Sequence, residues 1–107
     1  MWLCLNDAFL SIVDDGKVDG CLVVRARRKG DIEKLFPSVK VITLKSRDYQ
    51  FRAHVSRELI AEQVAAQVMA IDYPNFKDSV QDNDLHDAYA GFWQLHARLQ
   101  PKRPYMM

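Results

Sequence analysis

Glycine and proline are scarce in this chain, four of each in 107 residues, and cysteine occurs only twice. That scarcity excludes a collagen-like repeat and a small scaffold stapled by disulfides. The glycines, at positions 16, 20, 30 and 91, are too scattered to cradle a phosphate. Long hydrophobic runs are also missing. Cys21 to Val24, and Val64 to Ile71 with its polar interruption, fall well short of the ~20 residues a membrane span needs. Met1-Trp2-Leu3 carries no basic lead and Asn6-Asp7 breaks the first apolar stretch, so no secretory signal is expected. Cys4 and Cys21 sit in strand-like apolar contexts that suit reduced, buried thiols, and the expected location is cytoplasmic.

What is present is enough apolar material for one core. The chain is 49% hydrophobic and 27% charged, and a domain of this size buries roughly 60–70% of its unfolded surface. The net charge of +1 conceals a segregation. Residues 1–20 hold four acids and one Lys, 21–57 ten bases and three acids, 58–96 seven acids and one Lys, and 97–107 three bases. Such blocks give a folded protein one basic and one acidic surface, or two layers that attract each other.

Local pattern supplies the elements. Trp2 to Val13 reads as a short hairpin turning at Asn6-Asp7, anchored by Phe9, Leu10 and Ile12. After the polar loop 14–20, Cys21 to Arg28 reads as a strand with Leu22, Val24 and Ala26 on one face and Arg25 and Arg27 on the other. Asp31 is the expected cap of a short helix to Phe36, which Pro37 stops. Val39 to Leu44 is the next strand. In Tyr49 to Val55 the alternation turns Tyr49, Phe51, Ala53 and Val55 inward and Gln50, Arg52 and His54 outward. Ser56 caps a helix to about Ala70 with Ile60, Val64, Val68 and Ile71 as its stripe. Asp82 or Asp84 caps a last helix to Leu99, with Leu85, Tyr89, Phe92, His96 and Leu99 on one face. The expected fold is a single α+β domain over residues 1–100 with a flexible tail over 101–107. Its antiparallel or mixed sheet has about four strands, helices on one face, and a ferredoxin-like β-α-β-β-α core extended by the C-terminal helix. The strands at 21–28 and 49–55 then pair in the centre. Arg25, Arg27, Arg52 and His54 gather on the face opposite the helices, a face left solvated or covered by the last helix.

No constellation for catalysis or metal binding emerges. His86 and His96 lie about 80° apart around a helix and do not converge as an i, i+4 pair would. In a calcium loop starting at Asp82, Asp87 would stand where Gly is needed and Trp93 where Glu is needed. None of Ser11, Ser38, Ser46, Ser56 and Ser79 lies in an elbow motif. No enzyme activity, cofactor or metal is therefore expected. Two surfaces remain as candidates. The basic one comprises Arg25, Arg27, Arg28, Lys29, Lys45, Arg47, Arg52 and His54, whose guanidinium groups suit phosphate or carboxylate. The aromatic and acidic one comprises Tyr73, Phe76, Asp82, Asp84, Asp87, Tyr89 and Trp93. Its rings suit a protein-binding hot spot or the seal of the core.

Asp7-Ala8-Phe9-Leu10-Ser11-Ile12-Val13, Val24-Arg25-Ala26-Arg27 with Gly30-Asp31-Ile32-Glu33, Asp48-Tyr49 with Arg52-Ala53, Ile71 to Val80, and His86-Asp87-Ala88-Tyr89 with Trp93 resemble a widespread family of small proteins of bacteria and their phages. The resemblance reaches to about Leu99 and brings no catalytic residue with it. What it implies is a phage- or mobile-element-type protein that binds a protein partner, such as a stoichiometric, anti-CRISPR-like inhibitor of a host defence complex. The acidic helical surface (Glu58, Glu62, Asp72, Asp78, Asp82, Asp84, Asp87) would mimic nucleic acid for a basic groove, or the basic sheet face would dock an acidic one. Direct nucleic-acid binding by the basic sheet face is the alternative. A homodimer through a strand edge or the aromatic helix is a third arrangement.

Overall fold

The computed structural model describes residues 1–102. Nine elements follow one another. They are β1 (Trp2–Cys4), β2 (Phe9–Val13), β3 (Cys21–Ala26), α1 (Asp31–Leu35), β4 (Ile42–Thr43), β5 (Phe51–Ser56), α2 (Arg57–Met69), α3 (Phe76–Ser79) and α4 (Asn83–Ala97). The five strands form one antiparallel sheet in the order β1-β2-β3-β5-β4. Within it β3, α1, β4, β5 and α2 run in the β-α-β-β-α order, with β5 inserted between β3 and β4. The N-terminal hairpin completes the other side of β3. This is an α+β domain, with one strand more than the four expected. No described helix is long and apolar enough to cross a membrane. Of the tail expected over 101–107, residues 103–107 lie outside the described residues.

The register sorts side chains onto two faces, because successive strand residues point to opposite sides. Ile12 pairs with Val24 and Val24 with Ala53, so Leu10, Ile12, Val24, Ala26, Ala53 and Val55 share the first face. Ile32, Leu35 and Phe36 from α1 and its C-terminus, and Ile60 from α2, close over them into one dry aliphatic core. The second face carries a row that crosses all five strands: Trp2, Ser11, Arg25, Arg52 and Ile42. Its β1–β2 end lies under α4, since the Phe9 ring is 6.5 Å from Tyr89 and 5.8 Å from Phe92. A second, smaller core of Val80, Leu85 and Tyr89, with Phe9 and Phe76, forms there.

Several local expectations are corrected. The N-cap of α1 is Gly30, whose φ of 95° is left-handed, while Asp31 is the buried first helical residue and accepts the Phe9 N–H at 3.2 Å. Of the strand expected over Val39–Leu44 only Ile42–Thr43 forms strand; the Leu44 N–H continues onto the Gln50 carbonyl, and the Val39 N–H instead closes a turn onto the Phe36 carbonyl. The caps of α2 and α4 are Ser56 and Asp82, both as expected, and they accept the N–H groups of Leu59 and Leu85. Only Ile60 of the expected α2 stripe is buried, and Val68, Met69 and Ile71 stand exposed. The helix outruns the sheet it packs on: 13 residues extend about 20 Å, and only the first half lies over β5. The Cα radius of gyration, 16.0 Å, exceeds the ~13 Å of a sphere-like chain of this length for the same reason.

Candidate functional site

On the basic part of the second face, Arg25, Arg27 and Arg52 come together, as the pairing of Arg25 with Arg52 requires. Arg25 and Arg52 are half-buried and Arg27 is exposed, and all three are engaged within the chain. Tyr49, expected to face inward with Phe51, precedes the strand and instead lays its buried ring between two guanidinium groups. Arg25 lies 4.6 Å and Arg27 4.2 Å from the ring centroid. Each such contact contributes about 0.5–2 kcal/mol. Arg25 also donates to the buried Ser11 Oγ at 2.6 Å, Arg27 to the Asp48 carbonyl, and Arg52 to the Tyr49 carbonyl. The Tyr49 backbone N–H, with the three guanidinium groups behind it, holds the Asp48 carboxyl below its usual range. The arginines therefore pin the 44–50 loop to the sheet. The arginines that stack on Tyr49 lie more than twenty residues away in the sequence, and strand alternation alone placed that ring on the wrong side.

The remaining basic residues are dispersed. His54 Nε2 lies 2.9 Å from Asp15. Arg28 donates to Asp82 at 2.9 Å, which ties the basic block to the acidic one. The backbone N–H of Leu85, then Arg28, holds the Asp82 carboxyl down. Lys29, Lys45 and Arg47 are exposed and form no ion pair among the described residues.

The aromatic and acidic residues separate from one another. Asp82, Asp84 and Asp87 sit at the N-terminal end of α4, Asp82 as its cap and the other two exposed. The rings continue along the other end. Tyr73 packs on Phe76 at 5.9 Å, and Phe76 on Tyr89 at 5.2 Å. The buried Tyr89 hydroxyl lies 2.9 Å from both the Leu5 and Ala8 carbonyls, which fastens α4 to the β1–β2 turn. Burial pushes the Tyr89 phenol far up, so it stays neutral. Beyond Tyr89 the rings open to solvent. Trp2 stacks on Phe92 at 5.9 Å and is 63% exposed, and Trp93, 59% exposed, lies under the Lys77 ammonium at 4.2 Å.

These residues wall a groove of about 1360 Å³ between β1, α3 and the C-terminal half of α4. Leu95 and Leu99 extend its apolar wall, and Cys4 contributes to the β1 side. Cys4, expected to be buried, keeps an exposed edge, and Cys21 is half-buried; both are free thiols. The protein around Cys4 nonetheless removes enough water to push its thiol up. Of the residues singled out from sequence, Phe76, Tyr89 and Trp93 line the groove. Trp2, Phe92, Leu95 and Leu99 complete it and were not singled out as a surface. The signal for Phe92 and Leu95 was a surplus: α4 carries more large apolar side chains than one buried stripe accommodates. Among the described residues no three His, Cys, Asp or Glu side chains converge as metal ligands would. Comparison with known proteins finds no match to any family model, curated protein or solved structure.

Proposed function

We propose that the chain is a non-enzymatic binding module that engages a protein through the groove between β1, α3 and α4. The observation that carries this reading is the contrast in what each candidate surface leaves unused. The arginines of the sheet face are engaged by Tyr49, Ser11 and the loop carbonyls. The groove holds two tryptophans and two leucines that are each 59–76% exposed. Tryptophan and tyrosine dominate binding hot spots because they bury large areas at small entropic cost. Contiguous exposed apolar patches are uncommon on monomers that bind nothing.

In this reading the molecule acts by occupancy, in the cytoplasm. The occupancy proposed is that of a stoichiometric, anti-CRISPR-like inhibitor of a host defence complex, of the phage or mobile-element type. Most groups whose acidity is shifted hold structure: Asp15, Asp48 and Asp82 accept backbone N–H groups, Arg28 bonds Asp82, and Tyr89 tethers a helix, while Cys4 is shifted by burial alone. The test is affinity capture from host lysate with and without nuclease. Three baits are compared: the native chain, Trp93→Ala, and a triple Arg25→Gln, Arg27→Gln, Arg52→Gln variant. A nuclease-resistant partner that is lost with Trp93→Ala and kept by the arginine variant supports groove binding. Recovery of nucleic acid that disappears with the arginine variant would instead favour the basic sheet face.

A further inference from the structure

The polar residues of the groove differ in sign from the chain around them. Residues 58–96 contain seven carboxylates and one lysine. The groove takes the lysine, Lys77, and none of the seven carboxylates. Its other ionisable nitrogen groups are His96 on α4 and Lys102 just beyond it. Its remaining polar side chains are the neutral Asn75 and Gln100, and the Cys4 thiol and Tyr89 phenol are both pushed toward their uncharged forms. At neutral pH no anion faces the groove among the described residues. An apolar trough whose edge carries the Lys77 and Lys102 ammonium groups and no carboxylate, beside the most acidic stretch of the chain, is complementary to apolar side chains flanked by negative charge.

We propose that the groove receives an acidic, apolar segment of a partner protein. This rests on the groove-binding reading above and adds the chemistry of the occupant. The segment's large side chains lie against Trp2, Phe92, Trp93 and Leu99, and its carboxylates reach Lys77 and Lys102. At about 1360 Å³ the groove exceeds the ~300–1000 Å³ typical of small-molecule sites, which suits several side chains of a peptide. Lys77 already lies on Trp93, so an incoming carboxylate meets an ammonium whose place is set by the ring it covers.

The experiment is selection of random peptides of about 16 residues, displayed against the full-length chain. Affinities of the enriched peptides are then measured for the native protein, Trp93→Ala, and a Lys77→Glu, Lys102→Glu double variant. Trp93 and Lys102 are exposed and Lys77 half-buried at the groove rim, so these chains should fold; circular dichroism checks it. Enriched peptides should be net acidic and rich in Leu, Phe or Trp. Trp93→Ala should weaken them at least about tenfold. The double charge reversal should weaken them about five- to tenfold and abolish the preference for acidic over lysine-substituted versions. Enriched peptides that are neutral or basic but still need Trp93 would overturn the proposed chemistry while leaving groove binding intact. Binders indifferent to Trp93 would overturn both. Two further measurements assign other occupants: a concentration-dependent dimer in sedimentation that Trp93→Ala abolishes would give the groove to a second copy. Trp93-dependent binding to phosphatidylglycerol vesicles with no peptide enrichment would give it to a lipid surface.

Discussion

The two faces of the sheet are built from the same five strands and follow opposite rules. The first is sealed: aliphatic side chains from β2, β3 and β5 meet α1 and the start of α2, and Leu10, Val24, Ala26 and Ile32 are wholly buried. The second is divided among a buried tyrosine tether, an arginine-clamped loop and a groove of exposed rings. Stability and, on the proposed reading, recognition thereby fall on opposite sides. A side chain that fills the first face contributes to the folding equilibrium, whereas the outermost rings of the second cost hydration and return little until something covers them.

The largest expected effect tests that division directly. Phe36, 1% exposed, closes the first face, and Phe36→Ala should cost about 3–5 kcal/mol in denaturant unfolding. Trp93→Ala should change stability by less than about 0.5 kcal/mol, as a surface substitution does. Comparable losses for the two would show that α4 is as much a part of the core as α1.

A smaller effect sharpens the boundary within the second face. Tyr89→Phe keeps the ring and removes the proton shared between the Leu5 and Ala8 carbonyls, for an expected cost of about 1–3 kcal/mol. The amide protons of α4 should then exchange faster in hydrogen-exchange measurements while those of β3 do not. Uniform acceleration would contradict a tether that acts locally on α4.

The smallest effect concerns the Arg28–Asp82 link between the faces. The folded Asp82 carboxyl is held below its unfolded value, first by the Leu85 N–H and then by Arg28. Its contribution is therefore fully present above about pH 4, the unfolded carboxylate range, and is lost as pH falls through the lower folded value. Asp82→Asn retains a capping oxygen without the charge. Thermal melts should show the variant slightly less stable at pH 7, and the gap should close as pH falls through the folded value of Asp82. A gap independent of pH would assign the effect to cap geometry.

The sealed face was the legible one. Clean alternation in Tyr49 to Val55, Ser56 as a cap and the apolar spacing of 21–26 placed three elements within a residue or two and paired β3 with β5. These signals are local, and burial on one side enforces them. The divided face was read only in part. That Arg25 and Arg52 would be neighbours followed from strand order, but their capture of Tyr49 depends on how a loop folds back, which no periodicity encodes. The stripe Ile60, Val64, Val68 and Ile71 looked like a full-length core helix, because spacing shows which side is apolar and not how far the sheet beneath it extends. The groove escaped notice for a related reason: Trp2 lies about ninety residues from Trp93, and only the pairing of β1 with β2 brings its ring onto Phe92.

The sheet ends on both sides in very short strands, three residues in β1 and two in β4. An outer strand offers its free backbone groups as a template on which a stray extended chain can polymerise, and the hazard grows with the number of groups in line. Margins this brief give such growth almost nothing to register on, even beside exposed tryptophan. On the proposed one-for-one mode of action the protein must reach the abundance of its target, and these clipped borders would let it accumulate without seeding fibres.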